Sequence, residues 1–153
     1  MKVSGRRLFA AQRESVWQVL NDPAAMAAAI PGVESFEIQD DRRWRAKVEI
    51  PLGVGMLGLT LNMDRVEQRE PEFAHLAIKG EGLGAMLRMT TSFDLREDGD
   101  GGTTMDWEAD VHVAGPVGAM GQRVLQPIVN QQVQHVLAAL EEQVRKVQAA
   151  ASR

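Results

Sequence analysis

Three histidines, a row of alternating acids and one glycine-rich hexapeptide are the parts of this sequence whose types and spacing suit chemistry. His75, His112 and His135 change charge near neutral pH, so each is a candidate base or metal ligand. A metal site needs three or four converging ligands. No short-spaced cluster of His, Asp and Glu accompanies any of the three, so no metal is expected. Asp106, Glu108 and Asp110 alternate at strand spacing. Calcium prefers loop geometry and about 6–8 oxygens, so this row reads as a solvated strand face. The stretch Gly53-Val54-Gly55-Met56-Leu57-Gly58 matches G-x-G-x-x-G. A dinucleotide fingerprint must open a helix within a parallel βαβ unit. Here the strand-like Leu59-Thr60-Leu61-Asn62-Met63 follows, so nucleotide binding is rejected and no cofactor is expected. With no cysteine, thiolate metal sites, cysteine nucleophiles and disulfides are excluded.

The elements that position these residues follow from hydrophobic period. Val3–Phe9 reads as a first strand. Two short helices follow, Arg13–Asn21 and Ala24–Ala29, the second restarted by Asp22-Pro23 and stopped by Ile30-Pro31-Gly32. Six runs then alternate with period two: 33–39, 43–50, 58–67, 73–79, 86–96 and 102–113. Such alternation implies an antiparallel sheet with one wet and one buried face. From about Pro116 the period becomes helical, through Met120, Val124, Ile128, Val133, Leu137, Leu140, Val144 and Val147, with a kink or late start expected at Pro127. The expected fold class is α+β. It is a helix-grip arrangement, a curved antiparallel sheet of about seven strands wrapped around a long C-terminal helix. Residues 1–153 are expected to form one domain.

The inward parity of the strands is apolar. Phe36, Ile38, Trp44, Val48, Leu59, Leu61, Met63, Leu76, Ile78, Leu87, Met89, Phe93, Met105, Trp107 and Val111 are placed there, with Thr91 the one polar group among them. Acid–base catalysis needs a positioned titratable side chain, and these positions supply none. The expectation is therefore a binding protein without catalytic residues. The candidate ligand-binding set is that lining without Ile38, Thr91 and Val111, joined by the helix residues Met120, Val124 and Ile128. A rim rich in Gly and Met is expected from Ile30, Pro31, Gly55, Met56, Gly84, Met86 and Pro116, since methionines adapt to varied apolar partners. An enzymatic alternative requires Asp64, Glu81 or Arg88 to turn inward through a bulge. A docking alternative uses the basic row Arg42, Arg43, Arg45 and Lys47.

Lys and Arg number 17 against 21 Asp and Glu, for a formal net charge of −4. Nucleic-acid binders usually carry a clustered basic excess, so no nucleic-acid partner is expected. No run approaches the roughly 20 apolar residues of a membrane helix, and the apolar stretch at Leu8–Ala11 is too short for a signal peptide. The expected location is the cytoplasm, with at most peripheral contact at the inner face of the membrane.

Several segments carry a family resemblance. They are Val16-Trp17, Leu20-Asn21-Asp22-Pro23, Ile30-Pro31-Gly32-Val33-Glu34, Gly80-Glu81-Gly82, Ala114-Gly115-Pro116-Val117-Gly118 and Met120-Gly121-Gln122-Arg123-Val124-Leu125. Over nearly its whole length the chain resembles the carbon monoxide dehydrogenase G-subunit family, within the START-like polyketide cyclase/dehydrase (SRPBCC) superfamily. The resemblance implies a helix-grip domain with an apolar cavity between sheet and long helix. It also implies an accessory role beside a molybdenum hydroxylase of the carbon monoxide dehydrogenase type. That role is membrane recruitment, or supply of an apolar redox partner such as a quinone or a lipid-like molecule. Within the superfamily, a cyclase or hydratase acting on an aromatic substrate is the enzymatic counterpart.

Overall fold

The structure is a computed structural model that describes residues 1–52 and 55–151. Gly53 and Val54 of the hexapeptide lie outside the described residues. The chain runs β1 (Lys2–Phe9), α1 (Arg13–Leu20), α2 (Pro23–Ala29), β2 (Val33–Ile38), β3 (Arg43–Pro51), β4 (Met56–Arg69), β5 (Phe73–Gly82), β6 (Ala85–Glu97) and β7 (Thr103–Ala114). A short 3-10 turn, Gly118–Met120, leads into α3 (Gln122–Ala151). The seven strands form one antiparallel sheet in the order β1-β7-β6-β5-β4-β3-β2, a meander closed by β1 on β7. Local chemistry explains the junctions. Asp22 caps α2, its Oδ1 accepting from the Ala24 N–H at 3.0 Å, and Pro23 takes the first helical position. At Gly32 φ is +72°, and a Cβ there would stand 2.2 Å from the Glu49 carbonyl oxygen, so only glycine fits this turn into β2.

The register puts the alternating apolar residues on one face. Trp44, Ala46, Val48 and Ile50 of β3 stand opposite Met63, Leu61, Leu59 and Leu57 of β4. The same face continues through Ile78 and Leu76, then Met89 and Thr91, then Val111 and Ala109. Ile38 shares this parity but is 57% exposed, because β2 is the sheet edge and has no neighbour on its outer side.

Two apolar cores divide the inner face. The first joins Phe9, α1 and α2 to Phe93, Leu95, Met105 and the second half of α3, through Leu137, Leu140 and Val144. Trp17 meets Phe93 edge-on there, with ring centroids 6.1 Å apart. The second joins Trp44, Ala46, Val48, Leu57, Leu59, Met63, Ile78 and Ala85. The stripe expected on α3 is corrected at its start: Leu125 is the buried residue, whereas Met120 and Val124 are exposed. The helix begins at Gln122, after Gly121, rather than near Pro116, and that start sets which face turns inward. Pro127 lies inside the continuous helix, in its second turn, where it removes one backbone donor.

Candidate functional site

The second core is built by the sheet with its links and turns. Among the described residues it includes strand residues, links and turns, but no buried or half-buried residue of α3. Along β3–β6, Trp44, Val48, Leu59, Met63 and Ile78 are buried, while Leu61, Leu76, Leu87, Met89 and Thr91 remain half-buried on the same face. Phe36 packs half-buried against the floor from β2. The first half of α3 carries the other expected lining, with Ile128 half-buried and Met120 and Val124 exposed. The result is a continuous apolar face, the candidate groove, most fully buried at β3 and β4 and mostly half-buried at β5 and β6. Of the remaining expected lining, Phe93 and Met105 belong to the first core beneath α1 and α3, so they are packing residues. Trp107 packs half-buried against that core with its indole over β1; a Cβ on Gly5 would stand 2.8 Å from the ring, so the backbone there serves as the ring's seat.

The expected rim assembles at one end of the sheet. The Glu49 N–H donates to the Gly32 carbonyl at 2.9 Å, which holds the Ile30-Pro31 link beside the β3–β4 turn. The Val117 N–H donates to the Gly84 carbonyl at 2.9 Å, which joins the β5–β6 turn to the link before α3. Ile30, Pro31 and Gly84 are half-buried there, whereas Gly55 and Pro116 are exposed; Met56 and Met86, expected at the rim, are exposed on the outward parity of β4 and β6, because Leu57 and Leu87 beside them take the inner face. Leu83, at the β5–β6 tip, is 97% exposed. The opposite end is closed by polar contacts. Arg65, on the inward parity of β4, donates to Asn21 Oδ1 at 2.8 Å and to the Asp41 carbonyl at 2.6 Å. Its guanidinium lies 5.5 Å from the centroid of the Trp44 ring.

Two inward cations escaped the sequence reading. Simple parity finds Arg65, two residues beyond Met63, and a register shift between Arg65 and Glu67 ends the alternation just after it. Arg7 stands opposite Met105, and its Nη2 donates to Glu141 Oε2 of α3 at 2.6 Å. That ion pair bridges β1 and the helix, on the side of the first core.

The titratable groups weighed from sequence lie elsewhere. Asp64, Glu81 and Arg88 are exposed on the outer face. His75 is half-buried on the outward parity of β5, and His135 is exposed on α3. His112 Nε2 sits 3.3 Å from Asp110 Oδ2. Desolvation pushes the Asp110 carboxyl up, but the His112 hydrogen bond and the charges of His112, the N-terminus and Lys2 hold it below its ordinary value. Asp106 is held low by the Arg6 hydrogen bond at 2.8 Å, with the charges of Arg6 and Arg96 adding to it. No group of three or more potential metal ligands occurs among the described residues. Two open, charge-lined depressions exist, of about 610 Å³ beside Arg13, Glu72 and Arg96 and about 420 Å³ beside Asp40 and Arg43. Neither touches the groove; the apolar exposure pattern, rather than these solvated hollows, marks the candidate site.

The outer face carries a cationic row. Arg45 stands opposite Asn62, Asn62 opposite Lys79, Lys79 opposite Arg88, and Arg88 opposite His112. Arg45 donates to Asn62 Oδ1 at 3.1 Å. Arg43 is drawn to Asp40 instead, at 2.9 Å, and Arg42 turns to the carbonyls of Arg65 and Val66. Arg43, Arg45 and Lys47 of the expected basic row are exposed on the outer face of β3, and Lys79 and Arg88 extend that face's positive charge across the strands. No helix among the described residues is long and apolar enough to cross a membrane.

Similar architectures are known. A conserved protein from Geobacillus kaustophilus superposes with a TM-score of 0.89 at 21% identity, covering 95% of this chain and 96% of that one. A START superfamily protein from Mycobacterium smegmatis gives 0.71 at 19% identity, covering 95% and 98%. The Zhui aromatase/cyclase from Streptomyces sp. R1128 gives 0.71 at 19% identity, covering 98% and 97%. These likenesses establish the START-like fold. No curated protein matches the sequence. The sequence profile of the carbon monoxide dehydrogenase G subunit (CoxG) matches residues 5–145, nearly the whole described fold, and the chain belongs to that family.

Proposed function

We propose that this protein is a non-catalytic carrier for an apolar small molecule, a quinone or lipid-like compound. It serves as an accessory to a molybdenum hydroxylase of the carbon monoxide dehydrogenase type. The observation that carries the reading is the apolar inner face of β3–β6, whose core takes in no described residue of α3 and which ends beside the exposed Leu83 of the β5–β6 tip. Burial of a ligand there is favourable by about 25 cal/mol per Å² of apolar surface removed from water. The groove floor presents indole, aliphatic and thioether side chains, which suit binding rather than proton transfer. Family membership supports the link to the hydroxylase, and the exposed rim suits peripheral contact with the membrane from which such cargo comes.

A second reading is favoured by the outer face. Like charges directly opposite one another cost stability, and the Lys79–Arg88 pair accepts that cost. A surface that docks an acidic partner gives the row a use. Native mass spectrometry of freshly purified protein, with organic extraction of anything released, tests the first reading. A stoichiometric apolar adduct is expected. A bare polypeptide mass that stays unchanged after incubation with quinones and lipids overturns the carrier and leaves the docking surface as the function.

A further inference from the structure

We propose that Trp44 sets the specificity of the groove. Its indole N–H donates to a carbonyl oxygen of the ligand, which enters carbonyl end first and leaves its apolar remainder toward the rim. The inference rests on the carrier reading and adds to it the ligand's polar group and its direction.

Trp44 lies on the inner face of β3 and is 7% exposed. It stands at the end of the strand away from the rim, beside the β2–β3 turn. Its Nε1 is buried and has no hydrogen-bond partner. A buried donor without an acceptor forfeits the hydrogen bond it makes to water in the unfolded chain. The indole nitrogen is a donor only, so whatever completes it must bring an acceptor. The other polar groups of this face are engaged. Thr91 Oγ1 donates to the Glu108 carbonyl at 2.9 Å, and Arg65 is held by Asn21 and the Asp41 carbonyl. Arg65, stacked on the Trp44 ring, pins the indole and adds positive charge beside it. That environment favours the partial negative charge of a carbonyl oxygen. A ligand carbonyl brings the single acceptor that one indole N–H can use, whereas the Arg65 nitrogens Nη1 and Nη2 already donate to Asn21 and the Asp41 carbonyl. Entry requires a neighbour to move. Met63 stands directly across from Trp44 on β4, and an unbranched thioether side chain swings aside easily. From Trp44 to Ile50 the strand rises about 3.3 Å per residue, so ring and tail together have roughly 20 Å of apolar strand to lie along.

The test uses two probes with equal tails, decylubiquinone and decylbenzene, against the wild-type protein and Trp44→Phe. Affinities are read by titration, and the three indole N–H resonances by ¹⁵N-edited NMR, with the Trp44 signal identified by its loss in the variant. Trp44→Phe is expected to weaken decylubiquinone about five- to tenfold more than it weakens decylbenzene, the scale of one hydrogen bond beyond the shared loss of ring contact. Retained decylbenzene binding also shows that the variant is folded. In wild type, the Trp44 indole proton is expected to move downfield with decylubiquinone and not with decylbenzene. Equal losses for both probes, or a Trp44 resonance that does not move when decylubiquinone binds, overturn the assignment while the groove stands. Binding of neither probe overturns the carrier reading and this assignment with it.

Discussion

Asp106 shows how side-chain position governs behaviour at the scale of single residues. It sits between two arginines on the outer face, with Arg6 Nε at 2.8 Å and Arg96 Nη2 at 2.7 Å. The Arg6 hydrogen bond, with both charges, lowers its pKa from the ordinary 3.8. Its folded value lies below its unfolded one. The stability it contributes is therefore complete above 3.8 and is lost as pH falls through the lowered value. Asp106→Asn should lower the melting temperature at neutral pH, and the gap to wild type should close as pH drops below 3.8. Melting curves across pH check this; a gap that persists in acid contradicts it. Both arginines are more than half exposed, so the effect should be modest and should shrink with added salt. At this scale much was legible. Asp106, Glu108 and Asp110 fall on the solvated face that alternation assigns, and Trp44, Val48, Leu59 and Met63 are buried as parity requires. Arg65 was also within reach of parity. The lack of an acceptor for Trp44 Nε1 was not, because hydrogen bonding across strands depends on which residues face one another.

Turns and helix ends decide the elements. The link from α2 into β2 turns at Gly32, where backbone conformation and the nearby Glu49 carbonyl both exclude a side chain. Gly32→Ala should cost about 2–3 kcal/mol, from left-handed strain together with a clash against backbone. Urea denaturation measures it, and a cost below about 1 kcal/mol would contradict this account of the turn. The same substitution should loosen the rim, since the Gly32 carbonyl accepts from Glu49 beside the β3–β4 turn. All seven strands and both short helices were legible from period and from Pro and Gly punctuation, with ends shifted by a few residues. The beginning of α3 was not. Met120, Val124 and Ile128 match a helical period, yet the α-helix opens at Gln122 and buries Leu125. An apolar period specifies that a stripe exists; the 3-10 turn and Gly121, with φ +84°, set the rotation at which the stripe begins.

The whole molecule is a sheet with two apolar fields on one face and a charged opposite face. Lys79→Glu would replace a like pair with an opposite one, facing Arg88 across the strands. It should raise stability by about 0.2–1 kcal/mol. The same change should weaken capture of a carbon monoxide dehydrogenase-type partner if the row docks it, so a denaturation curve and a binding assay on one variant separate stability from function. A partner bound equally well by the variant removes the row from the interface. The α+β class, the antiparallel sheet, the long helix and the polarity of each strand face were determined by the sequence alone. They follow from residue-to-residue period, which is local. The division of the inner face was decided only by tertiary structure. Phe93 and Met89 have the same parity on the same strand, yet Phe93 is buried beneath α1 whereas Met89 is left half-covered. Helix α3 packs into the first core through Leu137, Leu140 and Val144, and none of its described residues joins the second. Where a helix lies across a sheet depends on the packing of residues distant in sequence, and that packing turns an apolar face into a core at one end and a groove at the other.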